Sequence, residues 1–164
     1  MNYYKTKTGS SSLIAFVLIG IVGLIFLTYY LVSTNTIPGL GDNNENLISI
    51  ETPNGIIQAI VATSTDDQEK GLGNRESIPK DRGMLFAFPD AGNRGFWMQD
   101  MIFPIDMVWI NEDKTVAGII SNIATSTYPD IYLPLVPVMY VLELNAGTAE
   151  NFGIATGTLL QFVI

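Results

Sequence analysis

The chain contains no cysteine and no histidine. Disulfide bonds, thiol nucleophiles, imidazole bases and metal sites built from Cys or His ligands are therefore excluded. Any metal would have to be held by oxygen atoms alone, which favours calcium or magnesium. Asp90, Asp100 and Asp106 could supply such ligands, but their spacing fits no ordered calcium loop. We therefore predict no metal site and no cofactor.

Basic residues are also scarce. Eight Lys and Arg residues stand against 16 Asp and Glu residues, and the formal net charge of the 164 residues is -8. Nucleic-acid phosphates attract a basic surface, so we expect no binding to nucleic acid. The same charge disfavours tight adhesion to an anionic membrane face.

One long stretch lacks charge altogether. Residues 13–32 read LIAFVLIGIVGLIFLTYYLV, which as a helix would span a bilayer core of about 30 Å. Tyr29 and Tyr30 suit an interfacial aromatic belt. We predict a single transmembrane helix here. A cleaved signal peptide is the alternative, but the run exceeds the usual apolar region and no small-residue cleavage site follows.

The flanking charges set the expected orientation. Lys5 and Lys7 precede the apolar run, and no Lys or Arg follows it until Lys70. The positive-inside rule then places residues 1–12 in the cytoplasm and the domain that follows the span outside it. Residues 33–46 are rich in Gly, Pro, Asn and acidic residues, which predicts a flexible linker. Residues 47–164 form the predicted β-rich extracytoplasmic domain of a single-pass membrane protein.

Within this domain, alternating and fully apolar stretches predict short strands. Residues 47–62 read as a hairpin around Asn54 and Gly55. A capping box at Thr65 and Gln68 predicts a short helix that Gly71 and Gly73 end. Further strands are expected at 83–88, 95–101, 105–110, 115–123, 138–145 and 158–164, with a proline-rich loop at 124–137 and a helical turn at 147–152. The expected fold is mostly β with short helices (α+β), as a compact antiparallel β-barrel or sandwich.

Several short motifs occur in a specific order across this domain. They are Gly71-Leu72 with Arg75, Gly83 to Phe88, Phe96 to Met98, Asp106, and Leu142 to Gly147. Together they resemble the prokaryotic family catalogued as domain of unknown function 192. The resemblance implies a compact β-rich domain, often secreted or anchored by an N-terminal segment, and no established activity. Two places depart from the family pattern: Gly73 replaces a frequent Met, and Gln99-Asp100-Met101 replaces a common Lys-Asn-Thr.

Four charged residues adjoin apolar sequence and need a role. A buried ion pair that joins Arg75 to Asp106 or Glu143 is one interpretation, because guanidinium offers a planar fork of donors to a carboxylate. The other interpretation makes Asp100 and Asp106 the acid and base of a small hydrolase.

The aromatic residues suggest a binding surface. Core packing is expected for most of them, but alternation sends Phe96 and Trp97 to opposite faces of a strand. At least one Trp should therefore line a groove, so we predict Trp97, Trp109, Tyr128 and Tyr132 as binding residues. The predicted function is a non-catalytic binding or accessory module of the cell envelope, with a glycan or envelope polymer as ligand. The alternatives are the small hydrolase and a structural partner of another envelope protein.

Overall fold

The computed structural model describes residues 46–164. The predicted transmembrane helix at 13–32, the segment that precedes it and all but the last residue of the predicted linker lie outside this range. Within the described range, no helix combines the length and the apolar composition that crossing a bilayer requires.

Residues 46–164 form one six-stranded sheet with two short α-helices. The elements are β1 (Leu47–Thr52), β2 (Gly55–Ala62), α1 (Thr65–Lys70), β3 (Arg82–Gly92), β4 (Ile105–Ile110), β5 (Val116–Ile123), a 3-10 turn (Thr125–Thr127), β6 (Val138–Asn145) and α2 (Thr148–Asn151). The predicted hairpin is present, and its turn is closed by the Thr52 hydroxyl, which donates to the Gly55 carbonyl at 2.7 Å. Helix α1 ends just before Gly71, as predicted.

The strand order is β1-β2-β3-β6-β4-β5. Four of the five pairings are antiparallel and the β2–β3 pairing is parallel. A parallel pair needs a crossover connection, which α1 and the following loop provide. Strand β6 follows the other five described strands in sequence, yet it lies between β3 and β4 near the centre of the sheet.

The predicted barrel or sandwich is not formed, because the described strands make one sheet that is not closed. Residues 158–164 do not form the predicted strand. This segment makes only isolated bridges, from Leu159 to Thr115 at β5 and from Gln161 to Glu51 on β1. Backbone hydrogen bonds with Lys114 and Val116 on one side and with Glu51 on the other hold the segment against both edges. A continuous ladder with either edge does not develop.

The predicted strand at 95–101 is also wrong. Only Phe96 is paired, in an isolated bridge with Tyr132. Asp100 has a φ of 58°, a left-handed conformation that cannot continue an extended strand. Strand β3 is instead longer than predicted and runs on to Gly92, with an irregularity in its pairing after Ala87.

Buried apolar side chains lie on both faces of the sheet. All six residues of β4 are buried, as expected of a strand covered on both sides. One face packs against α2 and the C-terminal segment, with Leu85, Val108 and Leu142 at its centre. The opposite face carries Phe86, Met107 and Trp109 and is covered by the loops at 71–78 and 96–103. The candidate site lies on this second face.

Candidate functional site

A pocket of about 230 Å³ opens on the second face of the sheet. One wall is formed by α1 and the loop from Gly71 to Gly73, and the other by residues 94–101. Four aromatic side chains line it, namely Phe86, Phe88, Phe96 and Trp97. Phe96 packs edge-on against both other phenylalanines, with ring centroids 5.0 Å and 6.5 Å apart.

The wall beside α1 depends on local sequence signals. The Ser64 hydroxyl caps the helix by accepting the Asp67 N–H at 3.1 Å. Gly71 ends it at a φ of 50°, where a side chain would be strained. A Cβ atom at Gly71 would lie 3.4 Å from the Phe86 ring and 3.7 Å from Glu143 Oε2. The glycine therefore leaves space beside both groups.

Glu143 forms the floor of the pocket. It lies on β6 between Met84 of β3 and Met107 of β4, and its side chain is only 5 % exposed. The Leu72 backbone N–H donates to its carboxyl group. The Oε2 atom has no hydrogen-bond partner among residues 46–164, so the bond from Leu72 falls on Oε1. Burial raises the pKa of Glu143 to about 8, and the Leu72 bond opposes that rise. The carboxyl group is therefore mostly protonated at neutral pH.

Arg94 lies at the rim of the pocket. Its guanidinium stacks over the Phe88 ring, 4.2 Å from the centroid. It also donates to the Asp90 carboxylate at 2.8 Å and to the Asp90 carbonyl at 2.9 Å. These contacts fix the orientation of Arg94, whose charge is paired with the Asp90 carboxylate at the rim.

The two tryptophans have different surroundings. Trp97 lines the pocket and is 46 % exposed, so the predicted binding residue has an accessible ring. Trp109 is only 4 % exposed and packs in the core under the second face. Its indole is enclosed by core side chains and cannot line a surface groove, which corrects its prediction as a binding residue.

Tyr128 and Tyr132 lie on the loop at 124–137, and neither is among the residues that line the pocket. Tyr128 is exposed, whereas Tyr132 is half-buried. Tyr132 and Phe96 exchange two backbone hydrogen bonds, of 3.0 and 2.8 Å. The loop therefore supports the segment that carries Trp97.

Asp106 is completely buried on β4. Its Oδ1 accepts the backbone N–H groups of Asn122 and Gly147 at 2.9 and 3.0 Å, and its Oδ2 accepts that of Ala149 at 2.9 Å. Asn122 and Gly147 both have positive φ. The carboxylate thus holds two left-handed backbone positions and the start of α2, which is a structural role.

Asp100 and Arg75 lie near the glycine loop. The Asp100 side chain is exposed, and its carbonyl accepts the Asn74 N–H at 2.8 Å. Arg75 is half-buried on the loop after α1. Its predicted ion pair with Asp106 or Glu143 stays a prediction, as does an acid–base pair of Asp100 and Asp106. Among residues 46–164, no cluster of three or more acidic side chains is placed to hold a metal ion.

Sequence reasoning missed the part that Glu143 has in the pocket. The signal was a single carboxyl group on an otherwise apolar strand, which we interpreted as half of an ion pair. The contributions of Phe88 and Arg94 were also missed, because both approach the pocket only after β3 extends past Phe88 and the chain turns back.

The fold and the site define a small domain built on one mixed sheet, with an aromatic pocket over a buried carboxyl group. Residues 48–162 match the model of the DUF192 family, described as an uncharacterized ACR. The chain belongs to this family, which confirms the resemblance seen in its motifs.

Two crystal structures are similar to this chain. One is of a protein described as a candidate transcription regulator, from Sinorhizobium meliloti 1021. It is 31% identical, the match covers 74% of this chain and 98% of that one, and the TM-score is 0.67. The other is of a protein of unknown function from Novosphingobium aromaticivorans DSM 12444. It is 25% identical over 70% of this chain and 83% of that one, with a TM-score of 0.63. None of the curated proteins matches the chain significantly.

Proposed function

We propose that residues 47–164 form a non-catalytic binding module whose ligand site is the aromatic pocket over Glu143. The supporting observation is the Oε2 atom of Glu143, which is buried at the pocket floor without a partner among the described residues. Buried polar atoms in folded proteins are nearly always hydrogen-bonded. An orphaned oxygen at a pocket therefore supports the proposal that a ligand group binds there.

The pocket supports a glycan or another envelope polymer as that ligand. Trp97 is half-exposed at the pocket, and a Trp ring offers apolar area for a sugar face together with an N–H donor. A volume of about 230 Å³ is below the roughly 300–1,000 Å³ of pockets that enclose whole drug-sized ligands. The site suits one unit or one side group of a longer polymer.

The envelope setting of this proposal rests on the sequence. The apolar run at 13–32 and the two lysines before it support a single anchor with the module outside the cytoplasm. A nucleic-acid ligand is not proposed, although a related protein is described as a candidate transcription regulator. The formal net charge of -8 would repel phosphates.

Hydrolysis by Asp100 and Asp106 receives less support than binding. Both oxygens of Asp106 already accept backbone N–H groups, and the residue is closed off from solvent. A catalytic acid or base must reach the proton that it transfers, which this environment prevents.

One observation favours a second candidate, a structural partner protein of the envelope. The loop at 124–137 exposes Ile131, Leu133, Leu135 and Val136, and Leu135 is 100% exposed. Clustered exposed apolar side chains often mark interaction sites. If this loop is the partner surface, Leu135→Glu places a charge in it and should abolish crosslinking of the full chain to an envelope protein in intact cells. Unchanged crosslinking would exclude this surface.

Glycan binding tests the leading proposal. The full chain, held in detergent micelles, is applied to an array of envelope glycans, together with Trp97→Ala and Leu135→Ala. Trp97→Ala should lose the signal because it removes the exposed aromatic ring from one wall of the pocket. Leu135→Ala, which shortens an exposed apolar side chain outside the pocket, should keep it. Absence of binding by the wild type, or equal binding by Trp97→Ala with an unchanged melting temperature, contradicts the proposal.

A further inference from the structure

We infer that the group seated over Glu143 is the carbonyl of an acetamido substituent, which accepts a hydrogen bond from Oε2. The ligand would thus be a glycan built from N-acetylated amino sugars. This inference rests on the proposed function and specifies the ligand of the same pocket.

The hydrogen-bond pattern makes Glu143 a donor. Oε1 accepts the Leu72 N–H, so the proton of the neutral acid resides on Oε2, the atom that has no partner among residues 46–164. The alternative, an ionised Oε2, would be a buried charge with no hydrogen-bond donor among residues 46–164. Burial between two methionine-bearing strands also favours the neutral acid and raises its pKa to about 8. A ligand that satisfies Oε2 must therefore offer an acceptor.

The pocket walls narrow the kind of acceptor. Phe86, Phe88 and Phe96 present apolar surface around the floor, which suits a group that carries a methyl beside its carbonyl. An acetamido group is planar, small and has both features, whereas a hydroxyl group lacks the apolar part. Gly71 contributes no side chain to the pocket, and a Cβ there would stand 3.7 Å from Oε2.

The neutral state of Glu143 disfavours a cationic ligand. Glu69, Lys70 and Arg94 line it together with Glu143. With Glu143 neutral, the charges at the rim balance, because Arg94 is paired with Asp90 and Lys70 lies beside Glu69. Arg94 also covers one aromatic ring. An ammonium group would have to bury its charge over a neutral carboxyl group, which is costly without an ionised partner.

Three β-1,4-linked tetrasaccharides that differ only at carbon 2 test this assignment. They are the tetramers of N-acetylglucosamine, glucosamine and glucose, titrated calorimetrically at pH 6 into the full chain in detergent micelles. The acetylated tetramer should bind at least about tenfold more tightly than the other two, because only it offers the carbonyl and the methyl group.

Two variants and a pH series isolate Glu143. Glu143→Gln should bind the acetylated tetramer within about threefold of wild type, since its amide nitrogen can donate from the position of Oε2. Glu143→Leu should lose binding while it remains folded, as judged by its melting temperature. Above pH 8 the wild-type affinity should fall by about tenfold per pH unit as the donor proton is lost. Glu143→Gln keeps the other charges of the pocket and should show no such fall.

The outcomes separate the ligand assignment from the proposed function. If the glucose or glucosamine tetramer binds as tightly as the acetylated one, and Trp97→Ala abolishes that binding, the acetamido assignment is overturned and the binding module stands. The same alkaline loss in Glu143→Gln also overturns the assignment, because the donor would then be another group. If no tetramer and no array glycan binds, the proposed function and the inference both fail.

Discussion

Raising the pH from 4.5 to 8 should destabilise the domain through Glu143 alone. The unfolded chain releases this proton near the ordinary pKa of 4.5, whereas the folded domain holds it until the pKa of about 8. Between these values the folded state binds more protons than the unfolded state, so each increase in pH favours unfolding. Below pH 4.5 both states are protonated and the effect is absent.

The size of the effect follows from the width of this window. One pKa unit corresponds to about 1.4 kcal/mol, so the separation between 4.5 and about 8 corresponds to about 5 kcal/mol lost across the window. Single domains are stable by only roughly 5–15 kcal/mol. A loss of this size would dominate the pH dependence of the free energy of unfolding.

Urea unfolding at a series of pH values measures this dependence. Both tryptophans of the chain, Trp97 and Trp109, lie in the described domain, so their fluorescence reports on its unfolding. Wild type should lose stability steadily from pH 5 to 8. Glu143→Gln is nearly isosteric but does not titrate, so its stability should be almost constant over the same range.

Parallel slopes for wild type and Glu143→Gln would refute this reasoning. They would mean that Glu143 ionises in the folded domain at its ordinary pKa, which requires water or a cation next to Oε2. The same result would remove the basis for treating Glu143 as a hydrogen-bond donor to the ligand.

Three further predictions concern packing and backbone support. Asp106→Ala leaves one buried and two part-buried backbone N–H groups without their acceptor. Chemical denaturation should therefore show a loss of about 3 kcal/mol, and a loss below about 1 kcal/mol would contradict the structural role. Gly83→Ala should lower the melting temperature, because its Cβ would lie 2.6 Å from atoms of β6. Gly118→Ala is the matched control, with its nearest contact at an ordinary 3.7 Å, and an equal drop in both would refute the argument. Trp109→Ala should cost about 3–5 kcal/mol in urea unfolding, as expected for a large core side chain, and a near-neutral result would contradict its burial.

Most strands could be predicted from local patterns. The hairpin at 47–62 and strands β4, β5 and β6 are at or near their expected positions, because alternation and turn residues act within a few neighbours along the chain. The segments at 95–101 and 158–164 have equally apolar patterns but form only isolated bridges. Neither segment forms a strand, for reasons that lie outside local pattern. The left-handed backbone of Asp100 interrupts the segment at 95–101, and the segment at 158–164 is shared between two sheet edges.

The site was predicted less completely than the fold. Trp97 was expected at a groove and lines one, although the strand whose alternation predicted this is not formed and Phe96 lines the same pocket. The sequence likewise leaves open whether Trp109 faces the core or a groove. Because β4 is buried on both faces, the residue packs in the core. The backbone partners of Asp106 and Glu143 come from α2, β5 and the glycine loop, and no pairing rule in the sequence identifies those amides.

The position of β6 has a consequence for how the domain assembles. Strands β1, β2 and β3 pair in succession, as do β4 and β5, and within the sheet the two groups are joined through β6. We therefore expect two separate sub-sheets to form early and the insertion of β6 to complete the sheet, with its many contacts distant in sequence making that step slow. Glu143 enters on this strand, and insertion buries its carboxyl group. The folding rate should therefore decrease as the pH rises, because the chain must take up a proton before β6 can close the sheet.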